Sequence, residues 1–524
     1  MQSMTYAKRK RRSMNDISIY DEVSFPSYPH PLTHPQRLAT IARLRGLASA
    51  PVEHCRVLEL GCGAGGNLIP MAETLPASEF FGVDLSDQQI DIANEHIRAI
   101  GLENIRFVAT NFIDLEESLG VFDYIICHGV YSWTTDEGRE KILELFQKRL
   151  SPSGIAYINY NTFPGWHVQG MLRDMLRFHC EPFVDAAQRV REARKMIEFL
   201  LLELGSPTAA STNLLRDELV QLSRQSDSYL FHAYLNVVNQ PFYLHQLIER
   251  AGQYRLRYIG DAEASATWPE AISSQTVERI RTLTQTVDEQ NDETALPIIS
   301  GPNFDTHEKV EQYFDFVRFG MSRRSLFCHE NVALRTVAIE DVLESMHLSA
   351  HVRVQDQSVH SSAVTTVITP ERLKVTVADQ RLGNLLRFLE NAWPESRPWK
   401  TANAAVQQFV NQAELSGDRS VWLMDLFRLF VRDVVQWSVQ PNLAARSIST
   451  RPRATAFARR QAAVHEFATN LRHHAVNLNA FDRQVLQLLD GSHSEENIAS
   501  VLAQPLASVR QTLERLVALS LLTE

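Results

Sequence analysis

Two rhythms of apolar and polar positions alternate through the first third of the chain. Short apolar runs at 55–60, 79–84, 105–109, 122–127 and 154–160 read as strands. Between them, at about 67–75, 86–100 and 136–150, apolar residues recur at helical spacing. Strands alternating with helices predict an α/β layer, a parallel sheet covered on both faces. Ligands on such sheets bind beyond the C-terminal ends of the strands, so the residues following each run are the ones to inspect for chemistry.

Past residue 180 the strand rhythm stops. Val190, Ile197, Leu201 and Leu204 predict a helix over 185–204, ended by Gly205-Ser206-Pro207. Helical and mixed segments follow to about 330, with an exposed acidic loop at 288–293 and short strands at 363–368 and 373–377. Near the end, Phe481, Val485, Leu488 and Leu489 mark one helix, and Ser492-His493-Ser494-Glu495 reads as a capping box. Val509, Leu513, Leu516 and Val517 then mark a last helix, and three short helices of this kind suggest a winged-helix core. The pattern divides the chain into a tail (1–17), the α/β region (18–182), a helical region (183–330), a mixed region (331–440) and the C-terminal region (441–524).

Composition narrows the classes. The 524 residues are 44% apolar and 22% charged, which is globular. A net charge of −10 argues against a general nucleic-acid or anionic-membrane binder. The balance is also acidic over 481–524, where three arginines face six carboxylates, so the winged-helix-like segment is expected to dock on protein rather than DNA. The stretch 446–472 carries six arginines against Glu466 alone; it reads as a solvated linker or helix face, with an acidic-protein contact as the sharper option. Five cysteines without a CxxC pair or metal-ligand spacing predict reduced buried thiols in a cytoplasmic protein and no metal. No apolar run is long enough to span a bilayer. The basic run Lys8–Arg12 lacks an apolar segment behind it, so it reads as a disordered tail or a docking tail for an acidic partner, not a secretory signal.

The densest information lies in Val57-Leu58-Glu59-Leu60-Gly61-Cys62-Gly63-Ala64-Gly65-Gly66-Asn67, where a strand runs into a glycine cluster that opens a helix. Glycines let backbone N–H groups approach a ligand, and the helix adds its positive end. Gly61, Gly63 and Gly66 also satisfy the G-x-G-x-x-G spacing of dinucleotide enzymes, and Asp84 at the end of the second strand suits a ribose diol in either case. Glu59 completes an E-x-G-x-G pattern, Thr110-Asn111-Phe112 follows the third strand, and Leu150-Ser151-Pro152-Ser153-Gly154 precedes the fifth.

These motifs together resemble class I S-adenosylmethionine-dependent methyltransferases, with their Rossmann-like sheet. The resemblance implies S-adenosylmethionine as cofactor, with Glu59 serving the methionyl ammonium and Asn111 and Phe112 the adenine. It places Gly61, Cys62, Gly63, Gly65, Asn67, Asp84, Leu85 and His128 around the cofactor, with Tyr20 and Tyr28 on an N-terminal lid. Tyr20–Pro29, Thr33–Thr40, Cys127–Trp133 and Tyr160–His167 narrow it to bacterial enzymes with a methyltransferase regulatory domain, similar to the rickettsial protein-lysine methyltransferases. Tyr229–Leu235, Asn239–Tyr243, Glu311–Phe316 and Arg323–Leu326 fit the same group, except that Ala233 stands where an acid is expected.

That group implies a mainly helical regulatory region, a winged-helix-like C-terminal domain, a possible homodimer and a protein substrate with an accessible lysine. Tyr131, Trp133, Tyr160 and Trp166 are then candidates for a desolvating aromatic mouth, with His128 at the cofactor or taking the proton. Cys127-His128-Gly129-Val130 replaces the Asn/Asp-Pro-Pro-Tyr of adenine and glutamine methyltransferases. A small-molecule amine or hydroxyl acceptor remains the alternative within enzymes, and a cofactor-binding regulatory protein with little catalysis the alternative outside them.

Overall fold

In the computed structural model, which describes Val23 and residues 27–115, 119–206, 209–268, 273–284, 304–357, 364–408 and 419–523, the predicted strands form adjacent members of one sheet. They are β1 (Arg56–Leu60), β2 (Glu79–Asp84), β3 (Ile105–Ala109), β4 (Phe122–Cys127) and β5 (Leu150–Asn161). Period-2 side-chain alternation splits each of the central strands between two cores. Val57, Tyr124, Ile126, Ile155 and Tyr157 enter one core, while Leu58, Leu60, Ile125, Cys127, Ala156 and Ile158 enter the other.

Helices α1 (Pro35–Leu44), α2 (Leu68–Thr74), α3 (Asp87–Ile100) and α4 (Asp136–Arg149) pack around these strands. Their ends follow capping chemistry: the Ser86 side chain accepts from Gln89 N, Gly101 takes the left-handed C-terminal position, and Thr135 accepts from Gly138 N.

Two strands depart from the pattern. β6 (Leu256–Asp261) and β7 (Ser322–His329) lie in the stretch read as helical and mixed, and they extend the sheet to seven strands in the order β3-β2-β1-β4-β5-β7-β6. β7 is antiparallel to both neighbours. Its alternation is hidden in sequence because Arg323, 1% exposed, points inward and is neutralised there. It donates to Asp315 at 2.8 Å and 3.1 Å, to Glu311 at 3.0 Å and to the Tyr258 hydroxyl at 3.1 Å. β5 also starts earlier than predicted: Leu150–Gly154, expected to precede it, is already strand, with a register irregularity against β4.

After β5 come the helices Trp166–Cys180, Ala186–Leu204 and Ala210–Ser223, which share a separate core. A π-helical turn at Leu230–Leu235 closes this bundle. Its loosened carbonyls are taken by arginines, Arg173 donating to Ala233 O and Arg189 to Leu235 O, and Arg173 also reaches Val237 O just beyond the turn. Ala233 is buried in that core. His232 lies 2.7 Å from Val23 O, tying the N-terminal segment to the bundle.

The mixed region holds an antiparallel sheet of Arg353–Gln357, Val364–Ile368 and Lys374–Val377. The C-terminal region opens with the helix Ala456–Val464 and a hairpin of Phe467–Thr469 and Ala475–Asn477. Helices Ala480–Gln487, Glu495–Leu502 and Leu506–Ala518 complete it around Val485, Leu486, Ile498, Leu513 and Leu516. Ser494, not Ser492, caps the second of these helices.

The arginine-rich stretch is no solvated linker. Much of it is the helix at 456–464, which docks on α2 and α3. Glu73 accepts from the N-terminal amides of Ala456 and Phe457, and Arg460 reaches Glu95 and the His96 ring, both at 2.6 Å. The five cysteines are free and buried, and among the described residues no helix is long and apolar enough to cross a membrane. The tail 1–17, Tyr20 and the acidic loop at 288–293 lie outside the described residues.

Candidate active site

Register aligns the C-terminal ends of the parallel strands. Leu60 pairs with Val83 and with Cys127, and Asp84 pairs with Ala109, so Gly61, Leu85, Thr110 and His128 begin a row of loops at one sheet edge. The chain order reverses between β1 and β4, the place where such sheets bind ligands.

Backbone amides of Gly61 and Cys62 both donate to Val83 O, at 2.8 Å and 3.1 Å, which anchors the glycine loop to β2. Gly61, Gly63 and Gly65 all have positive φ, at 77°, 52° and 76°. A Cβ on Gly61 would meet Val130 Cγ2 at 2.4 Å, and one on Gly65 would meet Phe107 Cζ at 2.6 Å. Gly63 is the roomier position, its nearest neighbours being Ser27 Oγ and Gln89 Oε1 at 3.7 Å and 3.8 Å. Asp84 holds that loop, its Oδ2 accepting from Gly63 N at 2.9 Å and its Oδ1 from Ser86 N at 3.0 Å. Leu85 is half-buried beside it. The Cys62 side chain is buried in the core, with its thiol 3.7 Å from Gly63 O.

Glu59, 3% exposed, accepts from Asn67 Nδ2 through Oε1 at 2.7 Å, while its buried Oε2 has no hydrogen-bond partner among the described residues. Burial pushes its carboxyl up to about 8, with the Asp84 charge adding and the Asn67 bond opposing. Asn67 joins three segments: Oδ1 accepts from His30 N at 2.9 Å, and Nδ2 lies 3.0 Å from Thr33 Oγ1. Residues 27–34 thus strap the glycine loop. Ser27 Oγ accepts from Gly66 N at 2.8 Å, and a Cβ on Gly66 would strike Ser27 O at 2.3 Å.

At the end of β4, half-buried His128 stacks on His30 at 3.7 Å, and its Nδ1 lies 2.9 Å from the Tyr157 hydroxyl. Burial lowers the His30 pKa to about 4 and holds His128 well below the usual histidine range, with His30 adding repulsion to His128 and Arg324 to both. Trp133 and Trp166 meet edge to face at 5.9 Å where the sheet joins the helical bundle.

Several predicted rings fall elsewhere. Tyr131 and Tyr160 are 0% and 1% exposed and pack as core, Tyr131 against Phe242 at 5.6 Å and Tyr160 bonded to Ser325 Oγ, so neither lines an open mouth. Asn239 and Gln240 fix the loops above them through Asn161 and the Ser132 carbonyl. Phe112 is buried in the same core, and Asn111 uses its side-chain carbonyl to cap the turn at Ile113 N. Tyr28 packs at 4.7 Å on Phe467 of the C-terminal hairpin. Ser27, His30, Thr33 and Tyr157 were not singled out as site residues from sequence; only the Ser27–Tyr28 and Thr33–His34 stretches carried a signal.

Residues 51–198 match the methyltransferase domain family, 226–304 the predicted methyltransferase regulatory domain, and 450–516 the PKMT C-terminal winged helix domain. The Rickettsia prowazekii protein RP789 is 30% identical over 510 residues, covering 95% of this chain and 88% of its own length. The chain belongs to this methyltransferase family. A second R. prowazekii protein, RP028, is 43% identical over 240 residues, which is 46% of the methyltransferase and 96% of that relative. PKMT2 from Rickettsia typhi, solved in complex with AdoHcy, matches with a TM-score of 0.80 at 26% identity, over 95% of this chain and 100% of that one.

The methyltransferase uses S-adenosylmethionine, and the residues present fit it: a buried carboxylate oxygen without a partner among the described residues for an ammonium, a ring of left-handed glycines, and Asp84 at the second strand end. The Glu59 geometry carries a pH dependence. At pH 7 the free methyltransferase holds the proton on Glu59, and an ammonium brought to Oε2 favours the carboxylate. Binding of S-adenosylhomocysteine at pH 7 is therefore expected to release close to one proton. Affinity should rise about fivefold between pH 7 and pH 8 and level off above that, as Glu59 is already ionised in the free protein. Calorimetry in two buffers of different ionisation heat checks this; identical heats would count against it.

Proposed function

We propose that this methyltransferase N-methylates lysine side chains of a protein substrate. The observation that carries the reading is the full-length likeness to PKMT2, which extends through the regulatory and C-terminal domains and not the α/β domain alone. The bound cofactor supplies an electrophilic methyl on a sulfonium, so the chain's own task is to present a nucleophile in line and to exclude water.

A lysine ammonium has a reference pKa of ~10.4, so presenting the free amine at pH 7 costs roughly 4.6 kcal/mol. The edge beside His128 reduces that cost. Desolvation and the Arg324 charge, which keep His30 and His128 neutral, disfavour an ammonium in the same surroundings. Half-buried Trp133, packed edge to face on the buried Trp166, adds an apolar face that an approaching ammonium can meet as it loses water. His128 is a weak base in this setting; its role is to receive and pass on a proton, with Tyr157 fixing its ring.

Incubating the enzyme with methyl-labelled cofactor and a cell lysate tests the reading. Label is expected in protein, on lysine, and absent with Asp84→Ala. Label confined to the low-molecular-weight fraction would overturn it in favour of a small-molecule acceptor.

A further inference from the structure

The turn of the C-terminal hairpin ends inside the cofactor site. Asn470 builds that turn, its Oδ1 accepting from Arg472 N at 3.0 Å and His474 N at 2.9 Å while its Nδ2 donates to Leu519 O at 2.9 Å. His473 sits at the crest with φ of 61°, a left-handed conformation uncommon for a residue bearing a side chain, and is 5% exposed. Its Nε2 lies 2.8 Å from Asn67 Oδ1.

The protons in this network can be assigned by elimination. His30 N can only donate, so the Asn67 atom facing it is the carbonyl oxygen. That oxygen accepts, so His473 carries its proton on Nε2. Thr33 Oγ1 lies 2.8 Å from His30 O and 3.2 Å from Asn67 Oδ1; its one proton goes to the nearer His30 O, and the hydroxyl accepts from Asn67 Nδ2. The second Nδ2 hydrogen goes to Glu59 Oε1. All four hydrogen-bonding capacities of Asn67 are used, two towards the strap, one towards Glu59 and one towards His473.

We propose that His473 is a positioning residue of the methyl-donor site: by donating to Asn67 it fixes the amide that holds Glu59 Oε1 and leaves Oε2 for the methionyl ammonium. The C-terminal domain is then a working part of the cofactor site. Its docking supports this, since Glu73 and Glu95, on the two helices that follow β1 and β2, grip the helix preceding the hairpin. Arg472, next to the crest, lies 4.0 Å over the Trp393 ring and donates to Ser349 Oγ and Pro394 O. The hairpin turn is thus engaged within the chain rather than offered to a nucleic acid.

The inference rests on the S-adenosylmethionine assignment, and wild-type titration with S-adenosylhomocysteine separates the two: a wild type that does not bind overturns the assignment itself. In the full-length protein, His473→Ala is expected to weaken binding about tenfold, and His473→Gln, which restores an N–H donor, to stay within about threefold of wild type. Thermal unfolding of the ligand-free variants is read alongside. Unchanged affinity in a folded His473→Ala, or equal losses in both variants, overturns the proposal. Should His473→Ala fail to fold, hydrogen exchange over 470–477 in wild type decides: slowing with S-adenosylhomocysteine supports the coupling, and no change overturns it.

Discussion

Asp84→Ala is expected to weaken S-adenosylhomocysteine binding by about 100-fold or more, which corresponds to roughly 2.7 kcal/mol. The carboxylate accepts from the amides of Gly63 and Ser86, so its loss frees both a left-handed glycine loop and the entry to α3. Hydrogen bonds to charged groups contribute about 1.5–3 kcal/mol each to the fold, so removing both costs the loop its pre-organisation in addition to any contact with the ribose. Asp84→Asn keeps one acceptor and should fall between the two. Calorimetric titration of the three proteins reads the series, and wild-type affinity in Asp84→Ala would remove Asp84 from the site.

Arg323→Leu should destabilise the protein by about 3–5 kcal/mol, because it strands Glu311, Asp315 and Asp261 in the interior without their cation. The effect has a pH sign. Even with Arg323 present, burial pushes the Glu311 carboxyl up to about 7 and raises Asp315 and Asp261. Groups whose folded pKa is raised favour the protonated native state, and that stability is lost as pH rises through the folded pKa. The Arg323→Leu penalty should therefore be smaller at pH 5.5 than at pH 8, measured as the shift in urea midpoint at each pH. A loss independent of pH would mean that the carboxylates are satisfied by other groups.

The parallel strands were legible because β1 to β4 are short apolar runs, and the helices after β2 and β4 begin at the capping residues Ser86 and Thr135. β7 was not, because a buried arginine interrupts its alternation and only the folded chain shows what neutralises it. At the site, Glu59, the glycines and Asp84 were legible from their spacing at strand ends. Tyr131 and Tyr160, expected at the mouth, and Phe112, expected at the adenine, are buried in one core, because an aromatic after a strand does not declare which sheet face it joins; Phe242, distant in sequence, covers Tyr131. His473 had no local signal at all. Its partner Asn67 lies 406 residues away, and nothing in a hairpin turn says how far it reaches.

The place of β7 also sets an order of events during synthesis. β5 ends at Asn161 and its outer neighbour begins at Ser322, so about 160 residues must emerge before that edge is covered. At ~5–20 residues per second, the ribosome leaves β5 unpaired for roughly 8–32 s. During that interval its free edge is a template for pairing with other chains. The intervening helical bundle can assemble first on its own core, so the nascent protein passes through a stage in which the bundle is built and the sheet is still open.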